Sequence, residues 1–257
     1  MKLISLNTWG GKLYKPLISF IKQHYDTDIF CLQEVFKTKS AIKISAGYRT
    51  SLLSEISRLL KNHNEYFKSS IDNYLSGSFQ KHFTDFDLSS GSAIFVNKEI
   101  KIIKQGFFSV FGEKNNFNPL DTDTMPRIAQ YVILNLEGKK LIVCNLHGIW
   151  TREGKVDTIS RIKQSKMIRD FLDKLAGNKI LCGDFNLDIK TESIKMLEQS
   201  MRNLIKEYKI ATTRNKFYPG KEKFADYIFV SSDLKVSNFK VPKVIISDHL
   251  PMILEFS

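Results

Sequence analysis

Six polar elements in this 257-residue chain stand directly against apolar runs. Asn7 closes KLISLN and Glu34 follows IFCLQ; His147 ends LIVCNLH, and Asp184 ends KILCGD with Asn186 two residues on. Asp226 opens DYIFVS, and Asp248-His249 precede the last run, LPMILEF. Carboxylates and carboxamides rarely sit beside buried strands without a partner, so a shared site is the economical explanation. Asp, Glu and Asn offer oxygen ligands suited to a hard cation, Mg²⁺ or Mn²⁺. Two imidazoles add proton transfer and charge stabilisation. Such a set fits metal-assisted hydrolysis of a phosphate ester. The chain has no GxxxxGK[ST] loop and no GxSxG turn, which argues against an NTPase and against a serine hydrolase of that type.

For residues 7 and 249 to meet, the fold must carry several strand ends to one rim. Apolar runs predict strands at 2–7, 28–35, 91–97, 129–136, 140–147, 179–184, 225–231 and 250–256. Most are near-continuous rather than alternating, as expected of strands covered on both faces. Helical spacing predicts helices over 14–25, 49–61, 157–175 and 192–208. Loops are expected at 72–91, 106–126, 148–156 and 211–224. Strand and helix alternate in both halves, which predicts an α/β sandwich. Gln33-Glu34 and Gly183-Asp184 end comparable strands, a faint two-fold echo.

Lysines and arginines number 39 against 27 acids, a net charge of +12. That excess favours polyanionic partners, although the lysines are scattered and form no block. Cys31, Cys144 and Cys182 each lie inside an apolar run with no CxxC spacing, which argues against a disulfide framework and against a zinc site. No apolar run is long enough to suggest a transmembrane segment. A cytoplasmic location is expected from the cysteine usage and from a first segment that reads as a strand.

SLNTWG, CLQEV, CGDFNL, FADYIFVS and SDHLP stand in an order that resembles the motif set of the endonuclease/exonuclease/phosphatase superfamily, deoxyribonuclease I-like branch. The resemblance spans nearly the whole chain and implies one domain over 1–257. It implies a four-layer α/β sandwich with two central mixed sheets flanked by helices. It also implies a Mg²⁺-dependent phosphodiesterase, Mn²⁺ being the other candidate ion. Carried over by residue, Glu34, Asn7 and Asp248 would serve the metal. Asp184 would orient or deprotonate water, and Asn186 would hold the phosphate or the nucleophile. Asp226 would fix His249, and His147 would be a second imidazole at the phosphate. Arg127 in PRIAQYV resembles a phosphate-contacting arginine. Each has an ordinary alternative: Asn7 a turn residue, His147 a structural histidine beside Trp150, Asp226 and Asp248 turn caps, Arg127 a surface arginine. Glu55 and Glu65 are candidates to partner His147. His24 reads as a core histidine, His63 and His82 as loop residues.

Departures from the superfamily narrow the substrate. Asn145-Leu146-His147-Gly148 stands where abasic-site endonucleases carry a Tyr-x-Pro-Asn type segment. Leu181-Cys182-Gly183-Asp184-Phe185-Asn186-Leu187 lacks the flanks of the inositol polyphosphate 5-phosphatases. Nucleic acid is therefore the leading expected substrate, with Arg152, Lys155, Arg161, Lys163, Arg214, Lys216, Lys221 and Lys223 as backbone-phosphate contacts. The alternative is a small phosphoester or a phospholipid head group, with loops 106–126 and 211–224 closing a pocket. Phe107, Phe108, Phe111 and Phe117 could line that pocket or pin a loop. A binding protein on an inactive scaffold is disfavoured, because every expected catalytic residue type is present. The oligomeric state is not legible.

Overall fold

The computed structural model describes residues 1–76 and 81–257, excluding the side chains of Ser76, Lys81 and His82. The first part of the chain contains β1 (Lys2–Asn7), α1 (Tyr14–Gln23), β2 (Ile29–Lys37), β3 (Ile44–Ser45), β4 (Tyr48–Arg49), α2 (Leu52–Leu59), β5 (His63–Asp72), β6 (Tyr74–Ser76), β7 (Lys81–Phe83) and β8 (Ser89–Asn97). There follow β9 (Lys101–Phe111), β10 (Arg127–Leu136), β11 (Lys139–His147), α3 (Ile159–Asp173), β12 (Asn178–Asp184), α4 (Glu192–Glu198), β13 (Arg202–Asn203), α5 (Leu204–Glu207), β14 (Asp226–Val230), β15 (Val236–Lys240) and β16 (Met252–Phe256).

Two mixed 6-stranded sheets form the centre, in the orders β15-β16-β1-β2-β8-β5 and β13-β14-β12-β11-β10-β9. Each contains one parallel pair, β1/β2 and β11/β12, joined by a crossover that carries a helix. The remaining pairings are antiparallel. The two-fold echo in the sequence corresponds to these two units.

Burial on both faces explains the unbroken apolar runs. In the first sheet Ile4, Leu6, Phe30, Leu32 and Phe95 pack with Leu17, Phe20, Ile21, Leu52, Leu53 and Ile56 of α1 and α2. Their alternating neighbours Leu3, Ile29, Cys31, Ile94 and Val96 face the second sheet's Val132, Leu141, Val143 and Cys144. Ile168, Leu172, Ile194 and Leu197 of α3 and α4 join that second cluster. Helix, sheet, sheet, helix is the four-layer order expected. The three cysteines are free and buried. Among the described residues, no helix is long and apolar enough to cross a membrane.

Several expectations are corrected. The helix over 192–208 is two helices, α4 and α5, with the short strand β13 between them; Asn203 accepts from the Ile205 amide at 3.1 Å and caps α5. The loop over 106–126 begins as the end of β9, an edge strand. The loop over 72–91 includes the β6/β7 hairpin and the start of β8; residues 77–80 within it lie outside the described residues. His63 opens β5 and is buried, its Nε2 2.6 Å from the Thr27 carbonyl. His24 follows α1, its ring 4.3 Å from that of Phe20. The expectation for His82 lies outside the described side chains.

Candidate active site

The C-terminal ends of the two parallel pairs converge. In the first sheet the β2/β8 register slips between Leu32 and Val35, and Glu34 adopts a left-handed φ of 54°. A bulge of this kind re-aims a side chain at the rim of a sheet. Thr8 Oγ1 donates to the carbonyls of Gln33 and Glu34 at 3.0 and 2.9 Å and so fixes the bulge. Asn7 Nδ2 then donates to Glu34 Oε1 at 3.0 Å.

In the second sheet β11 and β12 end side by side, with His147 in register with Asp184. Gly183 makes this approach possible: its φ is 130°, and a Cβ there would lie 2.0 Å from the Leu146 carbonyl oxygen. Asp184 accepts from Asn7 Nδ2 at 3.1 Å and from the Asn186 amide at 2.9 Å. One carboxamide thus links a carboxylate from each sheet. A second link lies deeper, where Gln33 Nε2 donates to Asn145 Oδ1 at 2.6 Å.

Asp226 opens β14 opposite Asp184. Both of its oxygens engage His249 Nδ1, at 2.8 and 2.9 Å. The segment before β16 is held by Leu250 N donating to the Thr213 carbonyl at 2.8 Å and His249 N donating to Ser247 Oγ at 3.2 Å. Arg214 Nη1 lies 2.9 Å from Asp248 Oδ2 and 2.5 Å from His249 Nε2. On the facing wall Arg127 Nη1 lies 3.4 Å from each ring nitrogen of His147, so it rests against the ring and cannot align with both lone pairs. His147 Nε2 is 3.7 Å from Glu34 Oε1. A cavity of about 380 Å³ opens among Glu34, Arg127, His147, Lys155, Asp184, Asn186, Arg214, Asp248 and His249, with Trp9, Phe36, Tyr48, Tyr74, Trp150, Phe217 and Tyr218 also lining it.

The sequence matches the Endonuclease/Exonuclease/phosphatase family over residues 4–249. The chain belongs to this family of phosphoester hydrolases. Its fold is similar to the mannosyl-6-phosphatase of Bacteroides thetaiotaomicron VPI-5482, with 19% identity and a TM-score of 0.70, covering 100% of this chain and 99% of that one. It is similar to a humanized D. rerio TDP2, with 16% identity and a TM-score of 0.70, covering 100% and 98%. It is also similar to an endonuclease/exonuclease/phosphatase family protein of Leptotrichia buccalis C-1013-b, with 19% identity and a TM-score of 0.68, covering 100% and 99%. No curated protein sequence matches the chain significantly.

Within this family fold, the nine residues singled out by the motifs meet. Glu34, Arg127, His147, Asp184, Asn186, Asp248 and His249 line the cavity. Asn7 and Asp226 stand behind it, bonded to Glu34, Asp184 and His249. Burial and the negative charge of Asp248 hold the Glu34 carboxyl above its usual range. Burial opposes ionisation of Asp184, yet His249, Lys155 and Arg214 outweigh it and keep the carboxyl far below its usual range. Burial, then Arg127, pushes the His147 imidazole well below its ordinary pKa. For His249, burial and Arg214 disfavour the imidazolium, but Asp226, Asp248 and Asp184 prevail and the pKa is raised. Arg214 can donate to Nε2 only while that nitrogen carries no proton, so full protonation of the ring requires Arg214 to release it.

Other expectations fail here. Arg161 is not a polymer contact: it is fully buried, and it donates to the carbonyls of Ile149 at 3.1 Å and of Gly154 and Val156 at 2.7 Å. It holds loop 148–156 in place. Lys155 and Arg214 are also buried, inside the cavity, and Arg152 pairs with Asp121 at 3.1 Å. Neither Glu55 nor Glu65 partners His147; Glu55 pairs with Arg49 at 2.8 Å and Glu65 accepts from Ser57. None of the phenylalanines 107, 108, 111 and 117 lines the cavity. Phe108 packs on Phe171 and Phe117 on Tyr74, while Phe107 is exposed. Sequence reading missed the aromatic wall of Trp9, Tyr48, Phe217 and Tyr218; Trp9 lies in a single 3₁₀ turn, Tyr48 in a two-residue strand and Phe217 and Tyr218 in a loop, all too short or irregular for periodicity to mark them.

Proposed function

We propose that the chain is a divalent-metal-dependent phosphoester hydrolase working by in-line attack of water. The observation that carries this reading is the bond pattern at the rim: Asn7 tied to Glu34 and Asp184, and His249 held on Asp226. The donors fit a metal. Glu34 and Asp248 offer carboxylate oxygen, whereas the expected Asn7 ligand is corrected: its Oδ1 accepts from the Trp9 amide at 3.0 Å and its Nδ2 faces Glu34 and Asp184, so Asn7 positions the carboxylates. The Asp184, Asp226 and His249 ligand atoms also lie within 4.8 Å of one another, but both Asp226 oxygens face His249 Nδ1, which suits proton control better than ligation. Glu34 and Asp248 would hold a hard divalent ion, which would supply charge neutralisation at the phosphoryl and leaving oxygens.

The chain's own groups do the rest. Asp184, ionised and fixed by two amide donors, accepts a hydrogen bond from water and aligns it. Asp226 sets the tautomer of His249 and leaves Nε2 to face the phosphate once Arg214 turns to the incoming anion. Arg127, with the neutral His147 beside it, presents positive charge to a second phosphoryl oxygen. Asn186, with a left-handed φ of 56°, donates Nδ2 to the Gly148 carbonyl at 3.2 Å and accepts from Lys155 Nζ at 2.5 Å, so it positions Lys155 and its own contact with the phosphate would require it to release one of these partners.

Two substrate classes compete. The net charge of +12 and the exposed Lys216, Lys221 and Lys223 favour a nucleic acid strand. The cavity of about 380 Å³ with its aromatic lining favours a compact phosphorylated molecule, and it weighs more because three of the arginines and lysines expected along a strand are buried. A panel of single- and double-stranded DNA and RNA, a hexose phosphate and a phospholipid, each with Mg²⁺ or Mn²⁺, tests this. Hydrolysis of the small phosphoester is expected. Cleavage of polynucleotide alone would replace the compact substrate by the strand, and no phosphate release from any of them would end the hydrolase reading.

A further inference from the structure

We propose that Lys155 and Arg214 form an anion clamp that selects a terminal phosphoryl group, a phosphomonoester dianion, over a phosphodiester. The inference rests on the hydrolase reading and names the substrate class of the same site. Lys155 is 4% and Arg214 7% exposed, although both belong to loops where a cation is ordinarily solvated. Lys155 Nζ donates to a neutral carboxamide, Asn186 Oδ1, and among the described residues it forms no ion pair. Arg214 pairs with Asp248, yet its buried Nε has no partner among the described residues. On the facing wall the buried Nε of Arg127 is also unpartnered. Lys155 is matched only by a neutral carboxamide and the Nε donors of Arg214 and Arg127 are unpartnered; these three side chains line one cavity, where a bound anion would supply the charge and the acceptors they lack.

The Lys155 and Arg214 wall is backed by Tyr218. Its ring centroid lies 4.3 Å from the Arg214 guanidinium carbon and 5.7 Å from Lys155 Nζ, and its hydroxyl donates to Glu222 Oε2 at 2.9 Å. Arg161 and Gln164 of α3 hold the backbone of the loop that carries Lys155. The clamp is therefore preorganised rather than a pair of mobile surface cations. A terminal phosphoryl offers three unesterified oxygens, one for Arg127, one for Lys155 and Arg214, and one for the cation that Glu34 and Asp248 would hold. A diester offers two, so one wall would meet an ester oxygen, a poor acceptor that carries carbon toward Tyr218. The second charge of a monoester, present above pH ~6, adds to the same preference.

Calorimetry at pH 7.5 with Mg²⁺ tests this, with inorganic phosphate and dimethyl phosphate as probes. Wild type is expected to bind phosphate about tenfold more tightly or better, because charge-assisted bonds differ by that order. Arg214→Gln and Lys155→Met should each weaken phosphate about tenfold and leave dimethyl phosphate within about twofold. Arg214→Lys and Lys155→Arg, which keep the charge, should restore part of the preference if the neutral variants fold poorly. The ratio of kcat/KM for p-nitrophenyl phosphate over bis-p-nitrophenyl phosphate should fall in the neutral variants. Equal losses on both anions, or a wild-type preference for the diester, overturn the clamp and leave the hydrolase reading intact. A phosphate preference abolished by the variants, with neither ester hydrolysed, upholds the clamp and overturns the hydrolase reading.

Discussion

The two central sheets share one plan and bring different chemistry to the same rim. In each, a parallel pair with a helical crossover ends at the site. The first sheet delivers Asn7 and Glu34, and the segment entering its strand β16 adds Asp248 and His249. The second delivers Arg127, His147, Asp184 and Asp226. Glu34 reaches the rim through a bulge and a left-handed residue, whereas Asp184 ends a regular strand that Gly183 lets close on its neighbour. Each decisive bond then crosses between the sheets: Asn7 to Asp184, and Asp226 to His249. Neither half contains a working site, so sheet-on-sheet packing is part of the chemistry.

The sharpest way to break this division is at Asp184, the residue both halves address. Asp184→Asn should lower kcat/KM about a thousandfold, measured on the small phosphoester that proves fastest, while the variant stays folded. A loss under tenfold would remove Asp184 from water alignment. Next in size, Glu34→Gln should weaken Mg²⁺ binding about tenfold to a hundredfold by calorimetry, whereas Asp226→Asn should leave that affinity nearly unchanged. Equal effects would dissolve the distinction between a metal corner and a proton-controlling dyad.

The smallest effect sharpens the contrast between the two histidines. His147 has a depressed folded pKa, so its contribution to stability is whole above the unfolded value of about 6.5 and is lost as pH falls through the folded value. His249 has a raised folded pKa, so its contribution is whole below about pH 6.5 and is lost as pH rises through the folded value. In chelator, replacing each with Gln should therefore tilt the melting temperature against pH in opposite senses. Parallel tilts would show that burial and Arg127 at His147, against the carboxylates around His249, do not set the two rings apart.

Legibility followed burial. Strands β1, β2, β11, β12 and β16 lie inside their sheets, are covered on both faces, and announce themselves as apolar runs. The edge strands β5, β9 and β15 read as polar or mixed segments, HNEYFKSSID, KIIKQGFFSVF and VSNFK, and escaped pattern reading because an edge strand can leave much of itself in solvent. In the same way Asp184 and His249 were conspicuous beside apolar runs, while Lys155 and Arg214 resembled any loop cation. Their burial depends on Tyr218, Arg161 and Asn186, which no local spacing connects to them.

The sequence by itself determined the residue types at the rim, the strands that carry them and the α/β layering, because periodicity and strand-end chemistry are local properties. Only the tertiary structure decided that Asn7 joins the two sheets, that Arg161 is structural, and that a lysine and an arginine from separate loops line one cavity. Those facts depend on which distant segments pack together and on the cost of taking charge out of water, and a linear order does not contain either.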